Sequence, residues 1–127
     1  MKPRKAPKPA PMLERHVKTL VTNWLRLYGW RVHRLQAGQA EWPGGGRTKL
    51  EGKDTPDLLA VRVTASGRTE AMYVELKAPG KKPRLGQTAW AEHARLEGLT
   101  VVWADGLDRL QSQMVLSGVS LLPRNQA

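Results

Sequence analysis

Residues 57–77, DLLAVRVTASGRTEAMYVELK, decide the fold. Apolar and β-branched residues dominate two runs, 57–63 and 71–77, and the segment TASGR between them is rich in turn-forming residues. This pattern predicts a β-hairpin of two antiparallel strands. Because successive side chains of a strand point to opposite faces, the even-numbered positions of the second run form an apolar face. We expect that face to pack on a helix, while the other face carries polar side chains.

Two acidic residues of this hairpin are expected to converge. Asp57 lies nine residues before Ser66, and Glu75 lies nine residues after it. A turn centred on Ser66 places the two acidic side chains opposite each other on one face, with Cβ atoms about 4.5–5.5 Å apart. Two carboxylates at that distance repel each other when both are ionised, and a divalent cation between them relieves the repulsion. Oxygen ligands favour Mg²⁺ or Mn²⁺ in such a place.

Lys77 follows Glu75 on the same face of the predicted strand. A lysine beside a bound cation can hold a water molecule aimed at phosphorus and stabilise the developing charge as the ammonium, or deprotonate that water as the neutral amine. The three residues therefore suit phosphodiester hydrolysis. The spacing alone leaves a structural alternative open, in which Glu75 forms a salt bridge with Lys77 or Lys53 on a solvated face of the sheet.

The sequence on either side of the hairpin predicts an α/β domain. Helical periodicity extends over 12–28, 84–97 and 106–116, and short β-rich runs cover 30–35 and 100–104. The strand–helix–strand unit that follows the hairpin turn implies a right-handed parallel crossover. We therefore predict a single domain with a central mixed β-sheet flanked by helices, in the order α-β-β-β-α-β-α.

The chain divides into an arm, one domain and a tail. Residues 1–11 contain four basic residues and four prolines, which predicts a disordered basic arm that either contacts phosphates or only aids solubility. Residues 12–122 form the predicted domain, and residues 123–127 form its tail. Within the domain, the glycine-rich residues 37–53 are expected to form a long mobile loop, and residues 119–122 a weak edge strand.

The composition limits the classes of function. The 127 residues carry a formal net charge of +10, which favours a polyanionic partner, nucleic acid first and an anionic membrane surface second. Cysteine is absent, which excludes disulfides, thiolate zinc sites and cysteine nucleophiles. No apolar run approaches the ~18 residues of a membrane span. Because no apolar stretch follows the basic N-terminus, we expect no secretory signal either.

Two basic segments are candidates for contact with DNA. Lys81, Lys82 and Arg84 follow the lysine of the predicted site closely, and they either bind phosphates or form a solvated loop. In the 37–53 loop, three basic residues are further candidates for phosphate contacts: Arg47, Lys49 and Lys53. Trp42 in the same loop either stacks on a base, wedges into a junction, anchors the loop or forms a dimer contact. The run GGGRTK lacks the residue order of a P-loop, so no nucleotide cofactor is expected.

Four segments together resemble the VRR-NUC domain, a branch of the PD-(D/E)XK nuclease superfamily. They are TPDLL at 55–59, YVELKAPG at 73–80, LGQ at 85–87 and GLTVVWA at 98–104. The resemblance extends from about Glu14 to about Leu116, and it implies a restriction-endonuclease-like fold. This sequence departs from the family's pattern in one place. The glycine that the family carries shortly before the PD pair is displaced to Gly52, and an additional acid, Asp54, is either an accessory ligand or a turn residue.

The resemblance implies a role for each matching residue of the hairpin. Asp57 and Glu75 are expected to be the metal-ligating carboxylates, with the Leu76 carbonyl as a third ligand. Lys77 is expected to be the catalytic lysine.

Two residues outside the hairpin also match the family. Gln87 corresponds to the glutamine at the start of the helix after the ExK strand, where it faces the site. Glu14 corresponds to the acidic residue of the family's first helix, which implies a further catalytic residue and metal ligand. The structural alternatives for Glu14 are a favourable charge at the helix N-terminus and an ion pair with Lys18.

The activity that the resemblance implies is that of a cytoplasmic, Mg²⁺- or Mn²⁺-dependent DNA endonuclease. Single-domain members of this family often come from phage, and they act as homodimers on branched substrates such as four-way (Holliday) junctions; a phage protein would work in the cytoplasm of its bacterial host. Two alternatives stay open, a non-catalytic nucleic-acid-binding module on a nuclease fold and a ribonuclease of the same fold. The intact set of Asp57, Glu75 and Lys77 argues against the first, whereas the sequence does not distinguish DNA from RNA.

Overall fold

A computed structural model of the chain describes residues 12–35, 39–41, 47–49 and 54–127, with the two short middle ranges described by their backbone only. The predicted arm, together with Trp42, Gly52 and Lys53, lies outside the described residues. Among the described residues, no helix combines the length and the apolar character needed to cross a membrane.

Three helices and a four-stranded mixed sheet make up the body of the protein, which confirms the predicted α/β class and element order. The helices are α1 (Glu14–Leu27), α2 (Leu85–Leu96) and α3 (Leu107–Leu116), and the strands are β1 (Arg31–Arg34), β2 (Gln39–Glu41), β3 (Arg47–Lys49), β4 (Leu58–Val63), β5 (Thr69–Leu76) and β6 (Val101–Ala104). The main sheet has the strand order β1-β4-β5-β6. Only β5 and β6 run parallel, with α2 as their crossover connection.

The register of the hairpin agrees with the one that its turn predicts. Leu58 pairs with Val74, and this register continues to the turn, so Asp57 comes opposite Glu75 one step beyond the ladder. At the turn, Gly67 adopts a φ of +83°, a left-handed conformation that glycine adopts without steric cost. The turn composition and the two-residue period of the strands were therefore sufficient to predict the pairing.

The two faces of the sheet are covered by different helices. The apolar face of β5 packs against α1 and α3 in one buried cluster, which includes Val17, Val21, Leu25, Val74 and Met114. On the opposite face, α2 contacts β5 through Tyr73 and Trp90, whose rings meet edge to face at 5.3 Å. Glu75 lies on the α2 face as well, and it is the residue of β5 that this arrangement brings beside the start of α2.

The segment 37–53 differs from the predicted loop. Within it, β2 pairs with β3 in a separate two-stranded antiparallel sheet. Each of these strands has only three residues, which is shorter than the four- to eight-residue runs that alternation can reveal in a sequence. The glycine-rich composition therefore indicated a loop where short strands form.

The C-terminal segment does not form the predicted edge strand at 119–122, because a buried arginine takes the carbonyl groups that a neighbouring strand would use. Arg62, only 3% exposed, donates to the Ser120 carbonyl (2.9 Å) and the Leu122 carbonyl (2.8 Å). Beyond the predicted domain boundary, a 3₁₀ helix (Arg124–Gln126) is attached to the body by the Arg124 N–H, which donates to the Tyr28 carbonyl at 3.0 Å. The predicted tail therefore packs on the domain.

Candidate active site

The start of β4 and the end of β5 border a cavity of about 540 Å³ that contains every side chain predicted to be catalytic. Glu14 reaches it from α1, Asp57 and Glu75 from the hairpin, Lys77 from the end of β5, and Gln87 from α2. The cavity is also lined by Arg84, a predicted phosphate contact, and by two cationic residues that the sequence did not single out, Lys18 and Arg34. The fold therefore brings the five predicted residues together from four parts of the chain.

Asp57 is held at the edge of the ladder by hydrogen bonds on both sides. Its Oδ2 atom accepts from the Leu76 backbone N–H at 2.8 Å, and its carbonyl accepts from the Leu35 N–H at 2.9 Å. The register places Pro56 opposite Leu76, and proline has no N–H to donate. The carboxylate of Asp57 thus accepts from the Leu76 N–H in place of a backbone carbonyl. The Leu76 carbonyl points to the same side as its own N–H, toward Pro56, and the ladder supplies no donor for it there.

Glu75 is a nearly buried carboxyl group with one unsatisfied oxygen. The residue is 7% exposed, and its Oε1 atom accepts from Gln87 Nε2 at 3.0 Å. Its Oε2 atom is buried and accepts no hydrogen bond from the described residues, so it lacks a partner when both carboxyl groups are ionised, whereas a proton on Glu75 lets it bond to Asp57. Burial, followed by the contact with Asp57 and the repulsion from it, raises the pKa of Glu75 from 4.5 to about 9. The pair therefore binds a proton readily when no cation is present.

Lys77 and Glu14 act on Glu75 through space. The charge of Lys77 lowers the pKa of Glu75, whereas that of Glu14 raises it, in each case by less than burial does. Among ion pairs between described residues, none joins Lys77 to Glu75 or Asp57. The structural alternative of a salt bridge between Glu75 and Lys77 is therefore wrong, and the alternative with Lys53 lies outside the described residues.

Gln87 links the start of α2 to the acidic pair. Its Oε1 atom accepts from the Arg84 backbone N–H at 2.8 Å, and its Nε2 atom donates to Glu75. Because a backbone N–H can only donate, this contact fixes the orientation of the amide and directs its NH₂ group to the carboxyl. Gln87 is itself buried, so the predicted position facing the site is confirmed as a contact.

Asp54, predicted to be either an accessory ligand or a turn residue, lies in a turn against the first residues of α2. Its carboxylate is 3.8 Å from the Arg84 guanidinium, and the described lining of the cavity does not include it. A Cβ atom at Gly86 would come within 2.5 Å of Asp54 Oδ2. The sequence LGQ therefore has a glycine where a carboxylate lies against the helix backbone, and Asp54 is positioned to favour the helix N-terminus.

The donor set suits a hard divalent cation. Two carboxyl groups meet at the cavity, one of their oxygens is buried and accepts no hydrogen bond from the described residues, and the backbone of Leu76 lies against Asp57. No group of three histidine, cysteine, aspartate or glutamate side chains among the described residues is close enough to hold a metal, so Glu14 does not complete a triad with Asp57 and Glu75. A site with two carboxylates fits Mg²⁺, which keeps several water ligands in proteins.

The predicted DNA contacts are described only in part. Lys81, Lys82 and Arg84 are exposed between the end of β5 and the start of α2, as a phosphate-binding segment requires. Arg47 and Lys49 belong to β3, whose backbone alone is described. The additional cations in the cavity carried a weak signal in the sequence, since Lys18 lies one helical turn after Glu14 and Arg34 ends a basic strand.

Comparison with the models of known protein families and with curated proteins finds no match. The resemblance to the VRR-NUC domain therefore stays a prediction, and the function of the protein is inferred below from the geometry of the site.

Proposed function

We propose that the protein is a divalent-metal-dependent nuclease that hydrolyses phosphodiester bonds of DNA. The observation that carries this proposal is the buried, unpartnered Oε2 atom of Glu75 beside the carboxylate of Asp57, in a cavity that also contains the ammonium group of Lys77. A buried polar atom without a partner is costly, and a bound cation removes that cost.

Each residue of the site has a distinct task in this reaction. A bound Mg²⁺ or Mn²⁺ supplies charge neutralisation at the phosphate and activation of water. Asp57, Glu75 and the Leu76 carbonyl provide its ligands, and Gln87 holds Glu75 in position through the hydrogen bond at 3.0 Å. Lys77 holds the attacking water or takes its proton, and its charge stabilises the transition state.

The substrate must be a polyanion. Lys18, Arg34, Lys77 and Arg84 surround the acidic pair, and the whole chain carries a net charge of +10. These cations balance the charge of the phosphates on either side of the bond that is cut.

The resemblance to the VRR-NUC domain adds branched DNA as the substrate and a homodimer as the active form. Two copies related by a two-fold axis would place two equivalent sites on opposite strands of a four-way junction. Sedimentation of the protein with and without junction DNA tests this part separately from the chemistry.

A cleavage panel tests the proposed activity. Duplex, flap, fork and four-way junction DNA and matched RNA are incubated with Mg²⁺, Mn²⁺ or a chelator. We expect cleavage of DNA that requires the metal and that is lost in Asp57→Asn, while the matched variant Asp54→Asn, whose carboxylate does not line the cavity, keeps it. Cleavage in the chelator, or by Asp57→Asn at the wild-type rate, contradicts the proposal. Preferential cleavage of RNA supports a ribonuclease instead, and binding without cleavage supports the non-catalytic module.

A further inference from the structure

A second cavity of about 510 Å³ adjoins the candidate active site. Glu75 and Gln87 line both cavities, so the two cavities meet at these side chains. Its volume lies within the ~300–1,000 Å³ typical of small-molecule sites. Of the residues assigned above to the metal site and to the phosphate contacts, Glu75, Gln87 and Lys82 reach this space, and the rest of its lining has no role so far.

Apolar and polar side chains line this second cavity in about equal measure, and the lining includes one large aromatic residue, Trp103. Trp103 is the partner of Glu75 in the parallel ladder, so the two residues lie on neighbouring strands whose backbones are roughly 4.8 Å apart. Pro56, Pro83 and Ala91 contribute further apolar surface from the segments on both sides. A flat apolar group that enters here would lie beside the ring and one strand away from the acidic pair.

The rim of the cavity is cationic. Lys82, Arg95 and Arg109 line it, and Glu75 is the one acidic residue in the described lining. The guanidinium of Arg109 lies over the Trp103 ring at 4.6 Å, and Arg95 donates to the Val101 carbonyl at 2.8 Å, so two of the three cations have fixed positions. Because the guanidinium covers one face of the Trp103 ring, a flat base stacks either on the planar guanidinium or on the other face of the ring, while the cations attract the phosphates of the nucleotide.

We propose that this cavity binds the base of an unpaired nucleotide next to the phosphodiester bond that is cut. The inference rests on the proposed nuclease function, and it adds a physical reason for a preference among substrates. A base in intact duplex is paired and stacked and must leave the helix to enter a pocket, at a cost of a few kcal/mol, whereas an unpaired base enters without that cost. The protein therefore selects DNA with unpaired nucleotides at or beside a branch.

The test combines removal of the base with filling of the cavity. Dissociation constants are measured in a chelator, so that no cleavage occurs, for a duplex with one unpaired thymidine and for the same DNA with an abasic residue at that place. Ala91→Phe fills the cavity from the face of α2 that lines it, and Thr88→Phe, at an exposed position of the same lining, serves as the second variant. Ala89→Phe, at an exposed position of α2 outside that lining, is the matched control.

We expect the wild-type protein and Ala89→Phe to bind the thymidine DNA about tenfold more tightly than the abasic DNA, as stacking on one aromatic ring provides. In Ala91→Phe and Thr88→Phe this ratio should fall to about one. A ratio that filling leaves unchanged, or a wild-type ratio of one, overturns the inference. Equal weakening of both DNAs by the filling variants overturns it too, because the cavity then holds backbone rather than a base.

The outcome is separable from that of the proposed activity. Binding is measured without metal and therefore does not depend on cleavage. If the protein shows the base dependence but cuts no substrate in the cleavage panel, the base pocket is supported and the nuclease activity is contradicted. If the protein cuts DNA but shows no base dependence, the nuclease activity is supported and the base pocket is contradicted.

Discussion

The two ends of the β4–β5 ladder each place charged side chains opposite one another, and the two pairs have opposite chemistry. At the turn end, Arg62 faces Glu70 with 3.1 Å between Nε and Oε1, and the guanidinium also donates to carbonyl groups of the C-terminal segment. At the open end, two carboxyl groups face each other, and one oxygen has no partner among the described residues. The first pair is complete within the protein, whereas the second shares a proton in the metal-free protein and is the site at which we propose that a cation binds.

This difference separates a structural charge pair from the pair that we propose to be functional in the same hairpin. The buried arginine uses its hydrogen bonds to attach the C-terminal segment, and it stacks over the Trp30 ring at 4.3 Å. The acidic pair accepts hydrogen bonds from Leu76 and Gln87, yet the pKa of Glu75 is still raised to about 9, and carboxyl groups perturbed in this way cluster at functional sites. Four substitutions test this interpretation.

Removal of the ammonium group at the open end should have the largest effect. Lys77→Ala is expected to lower the cleavage rate by about 10²–10⁴-fold, because the group that handles the proton of the attacking water is lost. Its affinity for DNA in a chelator should stay within about twofold, since the other cations of the cavity remain. Single-turnover cleavage and fluorescence anisotropy measure the two quantities.

The matched control for Lys77→Ala is Lys81→Ala, which removes an exposed cation four residues further on. It should change the affinity slightly and the single-turnover rate little. If Lys77→Ala cuts DNA as fast as the wild type does, the lysine has no part in the chemistry.

The complete pair at the turn end should matter for stability. Arg62→Met is expected to lower the free energy of unfolding by about 3–5 kcal/mol, because it leaves Glu70 and at least two carbonyl groups without their donor. Urea denaturation provides the measurement. Arg68→Met, at an exposed position of the adjoining turn, should stay within about 0.5 kcal/mol of the wild type. A loss of less than about 1 kcal/mol in Arg62→Met would show that water replaces the guanidinium.

The sequence predicted the open end of the hairpin better than the turn end, for a physical reason. Asp57 and Glu75 are placed by the two-residue period and by a turn that the sequence itself marks, so their meeting is a local property. The acceptors of Arg62 are the carbonyl groups of residues 120 and 122, almost sixty positions away. Every residue has a carbonyl, so no side-chain pattern indicates which ones an arginine will bind.

The same reasoning explains the other differences between the expected site and the observed one. Gln87 was expected at the site only because it matches the family's glutamine, and its place in the first turn of α2 is what brings it to the preceding strand. Lys18 and Arg34 look like ordinary surface cations in the sequence, and only the packing of α1 and β1 beside the acidic pair brings them into the cavity. The contact between Asp54 and Gly86 likewise depends on tertiary structure.

The pH dependence of stability should reveal the acidic pair directly. In the metal-free protein, the folded state keeps a proton on Glu75 up to a pH of about 9, while the unfolded chain releases it near 4.5. The folded state therefore binds more protons between these two values, and its stability falls as the pH rises through this window, by at most about 1.4 kcal/mol per pH unit. Glu75→Gln should remove this slope and be more stable than the wild type at pH 8.

Thermal denaturation from pH 5 to pH 9 in a chelator measures this slope, and Glu92→Gln, at an exposed position of α2, is the control that should retain it. Mg²⁺ or Mn²⁺ should stabilise the wild type most at high pH, where cation and proton no longer compete for the carboxylates. Parallel curves for the wild type and Glu75→Gln would mean that Glu75 is ionised in the folded protein and that the pair is already neutralised by another group.

The smallest effect expected is on the salt dependence of DNA binding, and it again contrasts the two ends of the hairpin. Replacement of Lys81 and Lys82 by glutamine removes two exposed charges beside the open end, and the slope of log K against log[salt] should become shallower by about 2. The charge-matched control replaces Arg31 and Arg68, which are exposed near the turn end, by glutamine, and its slope should equal that of the wild type. Equal slopes for both double variants and the wild type would place the path of the DNA backbone elsewhere on the surface. Equal but shallower slopes for the two double variants would mean that DNA binds through the net charge of the whole protein, without preference for the end that holds the acidic pair.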